Sequence, residues 1–185
     1  MKKVAIVLLV VGVIVAIGLV GIYNNLVQRS ESVKSGWAQV ENVLQRRADL
    51  IPNLVNSVKG YMAYEKAVFE GVTKARSAWT AAGSQDDKVK AAGAMDSAIA
   101  RLLAVAENYP NLKADGTFLK LQDELAGTEN RIATERMRYN EAVRDYNVLL
   151  RSFPANMLAN MFGFKQFNEY FKVEEKAKIV PEVKF

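Results

Sequence analysis

From Trp37 to Trp79 one apolar spacing runs without losing phase. Alternating steps of three and four give Trp37, Val40, Leu44, Arg47, Ile51, Leu54, Val58, Tyr61, Glu65, Val68, Val72, Ala75 and Trp79. Only Arg47 and Glu65 interrupt an otherwise apolar or aromatic series. A repeat near 3.5 residues marks a helix that buries a narrow seam against other long helices. The spacing predicts a long helix over about 28–80, of which the 37–79 seam alone would span about 65 Å at ~1.5 Å per residue. Pro52 falls inside it, where a proline removes a hydrogen bond and crowds the preceding turn. Because the seam keeps its phase across Pro52, a kink in one continuous helix is expected; a fresh helix starting at Pro52 is the alternative.

Ala81, Ala82 and Gly83 close that helix, and Ser84 with Asp87 resembles a capping box for a second helix over about 85–107. Its seam is weaker and alanine-rich. Asn108, Tyr109 and Pro110 end it, and a polar loop leads through Gly116. A third helix over about 117–153 repeats the strong spacing through Leu121, Leu125, Ile132, Tyr139 and Tyr146. Phe153-Pro154 breaks it, residues 155 to 162 suit a short helix closed by Gly163, and 178–185 reads as extended. The pattern describes an all-α protein: an N-terminal single transmembrane helix followed by an elongated antiparallel bundle of three to four helices.

The transmembrane expectation rests on residues 4–23, twenty positions without a charge. Twenty helical residues match a hydrocarbon core of about 30 Å. Lys2 and Lys3 flank one end and Tyr23 the other, as interfacial anchors do. A cleaved signal peptide is the competing reading, but it ends in a small-x-small site that is missing near Gly21. The division expected is an anchor over 1–27 and a bundle over 28–185. Lys2 and Lys3 favour a cytoplasmic N-terminus and an extracytoplasmic bundle, although Arg29, Lys34, Arg46 and Arg47 reduce the bias.

Formal charge is +5, with basic and acidic residues interspersed. Nucleic-acid binding needs Lys and Arg gathered on one face, so no such partner is expected. The chain has no Cys and no His. That removes disulfides, thiolate nucleophiles, Cys or His zinc sites and His-based general bases. No Gly-rich phosphate loop stands out, and no enzyme activity, cofactor or small-molecule substrate is expected. Glu65, Asp96, Glu129 and Glu135 raise a carboxylate metal site, but helical di-iron sites add His in Glu-x-x-His pairs. No metal site is therefore assigned.

Arg47 and Glu65 would be buried on the first seam, and a buried charge needs a partner. In an up-down-up arrangement Arg47 comes level with Glu129 or Glu135, and Glu65 comes near Arg101. Pairing that fixes helix register is expected for Arg47; snorkelling to the surface is the alternative. Asn53, Asn130, Asn140 and Asn147 flank the seams and suit caps at kinks or bridges between helices, a binding site being the alternative, while Tyr139 and Tyr146 suit the core with hydroxyls at its edge. Phe162, Phe164, Phe167, Tyr170 and Phe171 concentrate aromatics near the C-terminus. They either plug the bundle or form a contact surface for another copy, a partner or lipid.

Several segments resemble the LemA family: Tyr23-Asn24 after the apolar helix, RRADLIPNLV at 46–55, Tyr61 with Glu65, ENYPNLKA at 107–114, and LQDELAGTENRIATERMRYNEAVRDYN at 121–147. Phe153-Pro154, Phe162-Gly163-Phe164 and Tyr170-Phe171 extend the resemblance over essentially the whole chain. It implies a bacterial single-pass membrane protein with a long helical bundle and no agreed activity, cofactor or substrate. The expected role is a scaffold or organiser in the bacterial envelope. Its partners would be the lipid bilayer and either further copies or another membrane protein, the latter making it an adaptor or regulator.

Overall fold

The structure, a computed structural model, describes residues 2–171. The extended stretch expected over 178–185 lies outside them. Six helices are present: α1 (Lys2–Lys59), α2 (Lys66–Ala81), α3 (Gln85–Ala106), α4 (Pro110–Lys113), α5 (Gly116–Arg151) and α6 (Ala155–Phe162). There is no strand among the described residues. The chain divides into two compact units, one of Met1–Ala38 with Arg136–Phe185 and one of Gln39–Glu135. α1 and α5 each supply a segment to both.

In the second unit the single helix expected over 28–80 is corrected at both ends. α1 is already helical from Lys2, and it stops at Lys59. The chain turns through Gly60–Glu65, and α2 returns along α1, with Trp79 Nε1 donating to Gln45 Oε1 at 2.9 Å. Gly60 opens the turn, and glycine is about 1 kcal/mol less favourable than alanine in a helix interior. The seam keeps its phase because α2 buries Val68, Val72, Ala75 and Trp79 at the same spacing. α3 then runs parallel to α1, joined by Lys88 to Glu41 and Arg47 to Asp96. α5 runs antiparallel to α1, with Tyr61 Oη donating to Asp115 at 3.3 Å and Arg46 paired to Glu124 at 3.1 Å. Four helical segments thus alternate in direction around Leu44, Ile51, Leu54, Trp79, Met95 and Leu102, all fully buried. Each such side chain contributes roughly 1.5–3 kcal/mol by leaving water.

α1 continues through Pro52, which is exposed, as one helix, so no fresh helix begins there. The proline has no N–H to give to the Ala48 carbonyl one turn earlier. Arg76 Nε on α2 donates to that carbonyl instead, at 3.1 Å. Ser84 caps α3 by accepting from the Asp87 N–H at 3.1 Å. The polar loop expected after α3 holds one helical turn, α4, with proline at its start and Leu112 buried.

In the first unit α1 and α5 are antiparallel, with Arg29 paired to Asp145 at 3.3 Å. Gly36 permits the close approach: a Cβ there would lie 3.4 Å from the Tyr139 Cα. After a cis Phe153–Pro154 bond, α6 forms and is closed by Gly163 at φ 73°. That left-handed conformation favours glycine, and it lets the Phe164 N–H donate to Ala159 O at 2.9 Å. α6 buries Leu158 and Ala159 against Leu26, with Ile22, Leu149, Leu150 and Phe164 around them. The apolar stretch 4–23 is the start of α1, the one helix among the described residues long and apolar enough to cross a membrane.

Candidate functional site

The second unit holds a buried ionic cluster. Arg47 projects from α1 into the four-segment core, where it is 6% exposed. Its guanidinium meets Asp96 of α3 at 3.0 Å and Glu129 of α5. A buried arginine is tolerable only with such partners, because stranding it costs several kcal/mol. The seam therefore carries one cation shared by carboxylates from two neighbouring helices, a contact that specifies which turns face one another.

Of the residues expected to form a polar seam, the structure joins Arg47 to Glu129. Glu135 is half-buried six positions further along α5. Asp96 was a seam position whose pairing with Arg47 the sequence reading did not propose; the signal was an acidic residue on the α3 seam. Glu65 and Arg101 are not brought together. The turn at Gly60–Glu65 places Glu65 just before α2, where its Oε1 accepts from the Tyr109 hydroxyl at 3.2 Å. Arg101 is exposed on α3, whereas Tyr109 lies beyond the end of that helix. Burial pushes the Tyr109 phenol above its usual range, and the Glu65 carboxylate beside it adds to the rise. Asp115 caps α5 by accepting from the N–H groups of Thr117 and Phe118, both at 2.9 Å. The Phe118 hydrogen bond is the main cause of its lowered pKa.

The first unit holds the aromatic tail in a clamp. After Gly163 the chain has no regular secondary structure to Phe171, so its backbone groups need other partners. Asn147, buried on α5, donates from Nδ2 to Phe167 O at 2.7 Å and accepts from the Phe167 N–H at 3.2 Å. Asn140, two turns earlier, treats Phe171 the same way, with both bonds at 2.9 Å. Each amide side chain thus imitates one rung of a β-ladder. The Tyr146 hydroxyl adds a bond to Lys165 O at 3.0 Å, and burial raises its pKa.

Rings fill the space between these bonds. Phe171 stacks on Trp37 with centroids 5.8 Å apart, meets Tyr139 edge-on, and lies under the Arg136 guanidinium. Phe167 packs edge-on against Tyr146 at 5.3 Å. The five aromatics singled out from the sequence therefore separate. Phe164, Phe167 and Phe171 pack into the unit, whereas Phe162 and Tyr170 remain exposed. The roles of Asn140 and Asn147 differ from the kink caps or bridges between helices expected of them; the partner is the irregular chain after Gly163. Among the described residues, no cluster of three or more acidic, His or Cys side chains is arranged to hold a metal ion.

A sequence profile described as LemA family matches residues 36–185. Over 176 residues the chain is 30% identical to the magnetosome proteins MamQ 1 and MamQ 2 of Paramagnetospirillum magneticum, covering 81% of this chain and 64% of each relative. It is 23% identical over 141 residues to Protein LemA of Metamycoplasma hominis, covering 76% of this chain and 64% of that protein. The chain thus spans about 64% of the length of these curated relatives.

Proposed function

Because the chain belongs to the LemA family, we propose that it is a single-pass, membrane-anchored, non-enzymatic scaffold of the bacterial envelope, with its bundle on the extracytoplasmic side. The observation that carries this is the continuity of α1. The uncharged segment 4–23 and the residues up to Ala38 that pack on α5 are one uninterrupted helix. An anchor of this kind holds the first unit stiffly at the membrane instead of tethering it by a flexible linker. Confinement to a plane raises the effective concentration of neighbouring copies, so weak lateral contacts suffice for assembly. The magnetosome proteins among the relatives agree with a role in organising a membrane compartment.

The second reading is an adaptor that presents its helices to another membrane protein. Tyr64, 98% exposed in the turn between α1 and α2, supports either, since such a ring is placed for contact and adds nothing to the core. A photo-crosslinking residue at Tyr64 in living cells separates them. A ladder of self-linked products is expected. One recurrent heterologous product would replace the scaffold with the adaptor, and carbonate-extractable protein would remove the anchor reading altogether.

A further inference from the structure

Resting on the reading that residues 4–23 cross the bilayer, we propose that α6 is a second membrane-contacting element, seated in the interfacial layer of the leaflet from which α1 emerges. Its occupant is lipid. The run from Ser152 to Phe164 contains thirteen residues and no charge, and it is bounded by Arg151 and Lys165. Both basic residues are exposed, and cations at the ends of an apolar segment suit the phosphate layer.

The helix is apolar on more sides than its packing requires. Leu158 and Ala159 turn inward to Leu26. Met157 and Met161, one turn apart on a separate stripe, are 64% and 68% exposed, and Phe162 is 55% exposed. Asn156 and Asn160 form the remaining, polar stripe. In water, this arrangement would leave two methionines and a phenylalanine hydrated beside one another, the kind of contiguous patch that marks a contact surface.

Position identifies the contact as lipid. The Phe162 ring meets Tyr23 edge-on at 4.9 Å. An apolar cleft of about 290 Å³ is lined by Leu19, Val20, Tyr23, Leu158, Met161 and Phe162. Leu19 and Val20 belong to the uncharged segment. Leu19 lies four residues, or about 6 Å, inside its Tyr23 end. The exposed surface of α6 is therefore continuous with the surface of the anchor, at the depth of about 5–10 Å to which interfacial helices bury their apolar faces. An acyl chain fills the cleft, and Asn160, which is exposed, is left for headgroups and water.

The cysteine-free chain allows a direct test on full-length protein in phosphatidylcholine–phosphatidylglycerol vesicles. Single cysteines at Met161, at Val11 and at Ser97 carry an environment-sensitive fluorophore. Lipids bearing a nitroxide near the headgroup or near the chain end, and aqueous iodide, serve as quenchers. The Met161 probe is expected to lose roughly half its emission to the shallow nitroxide and little to iodide. The Val11 probe should respond to the deep nitroxide, and the Ser97 probe to iodide alone. If Met161 behaves like Ser97 while Val11 is quenched from the chain end, the anchor stands and the α6 proposal is overturned. If Val11 is also open to iodide, the spanning reading fails and the proposal goes with it.

Discussion

In the unit of residues 39–135, four helical segments surround the core, and each covers the seams of its neighbours. In the other, α1 and α5 are the only long helices among the described residues, and two helices leave one side of each seam uncovered. That side is closed by α6 and by residues 164–171, which have no regular secondary structure. The means of stabilisation differ accordingly. Where helices enclose the core, backbone hydrogen bonds are internal and side chains on neighbouring helices set the register: Arg47 with Asp96 and Glu129, Trp79 with Gln45, and Arg76 with the Ala48 carbonyl. Where irregular chain substitutes for a helix, its backbone groups arrive unsatisfied, and Asn140 and Asn147 supply what a partner strand would. An amide side chain is suited to this because it offers one donor and one acceptor side by side. A core short of helices thus turns polar side chains toward the backbone of the chain that covers it.

The comparison can be broken most sharply at Arg47. Arg47→Ala should cost about 3 kcal/mol in a denaturant titration of the full chain, since it removes a packed side chain and takes the cation away from the partly buried Asp96. Adding Asp96→Ala should return part of that loss as a non-additive coupling. A cost below about 0.5 kcal/mol for the single variant would reduce the cluster to surface electrostatics. Asn147→Ala should cost less, about 2 kcal/mol, by leaving the Phe167 N–H and carbonyl without partners. Its distinguishing mark is hydrogen exchange: the Phe167 amide should lose protection while amides of α3 keep theirs. Unchanged exchange at Phe167 would mean that the rings alone hold the tail.

The smallest effect is expected at Asp115. Its folded pKa lies below the ordinary value of about 4. The cap therefore stabilises the fold above that pH, and its contribution disappears as pH falls through the depressed value. Asp115→Ala should lower the melting temperature slightly at neutral pH, and the difference from the parent should vanish in acid. A difference independent of pH would assign the loss to helix propensity.

The seam of 37–58 and the α5 spacing through Tyr139 and Tyr146 could be read directly, because heptad periodicity is a local property of the chain. The reversal at Gly60 could not. Two antiparallel helices that pack on each other carry the same period as one long helix, so unbroken phase does not distinguish them. Gly60 marks the place, but one glycine inside a long apolar series does not by itself end a helix. Arg47 was legible as a buried cation because it interrupts a seam. Its partner Asp96 was obscured by the wrong topology, which also brought Glu65 towards Arg101. The Asn clamps were invisible for a different reason: they recognise backbone, which carries no sequence pattern. Asn140 and Asn147 look like Asn53 and Asn130 until the tail is in place.

Pro52 has a consequence beyond its tolerance in α1. Two antiparallel helices with similar apolar stripes can mate in several offsets, each a heptad apart and each burying comparable area. Deleting one N–H makes the turn at Ala48 unlike the others inside α1, since its carbonyl loses its donor within the helix interior. Arg76 answers it at one offset only; a slip by a heptad, about 10 Å, would leave the carbonyl bare and the guanidinium misplaced. The imino acid thus serves as a notch in a ruler, marking where the returning helix must stop.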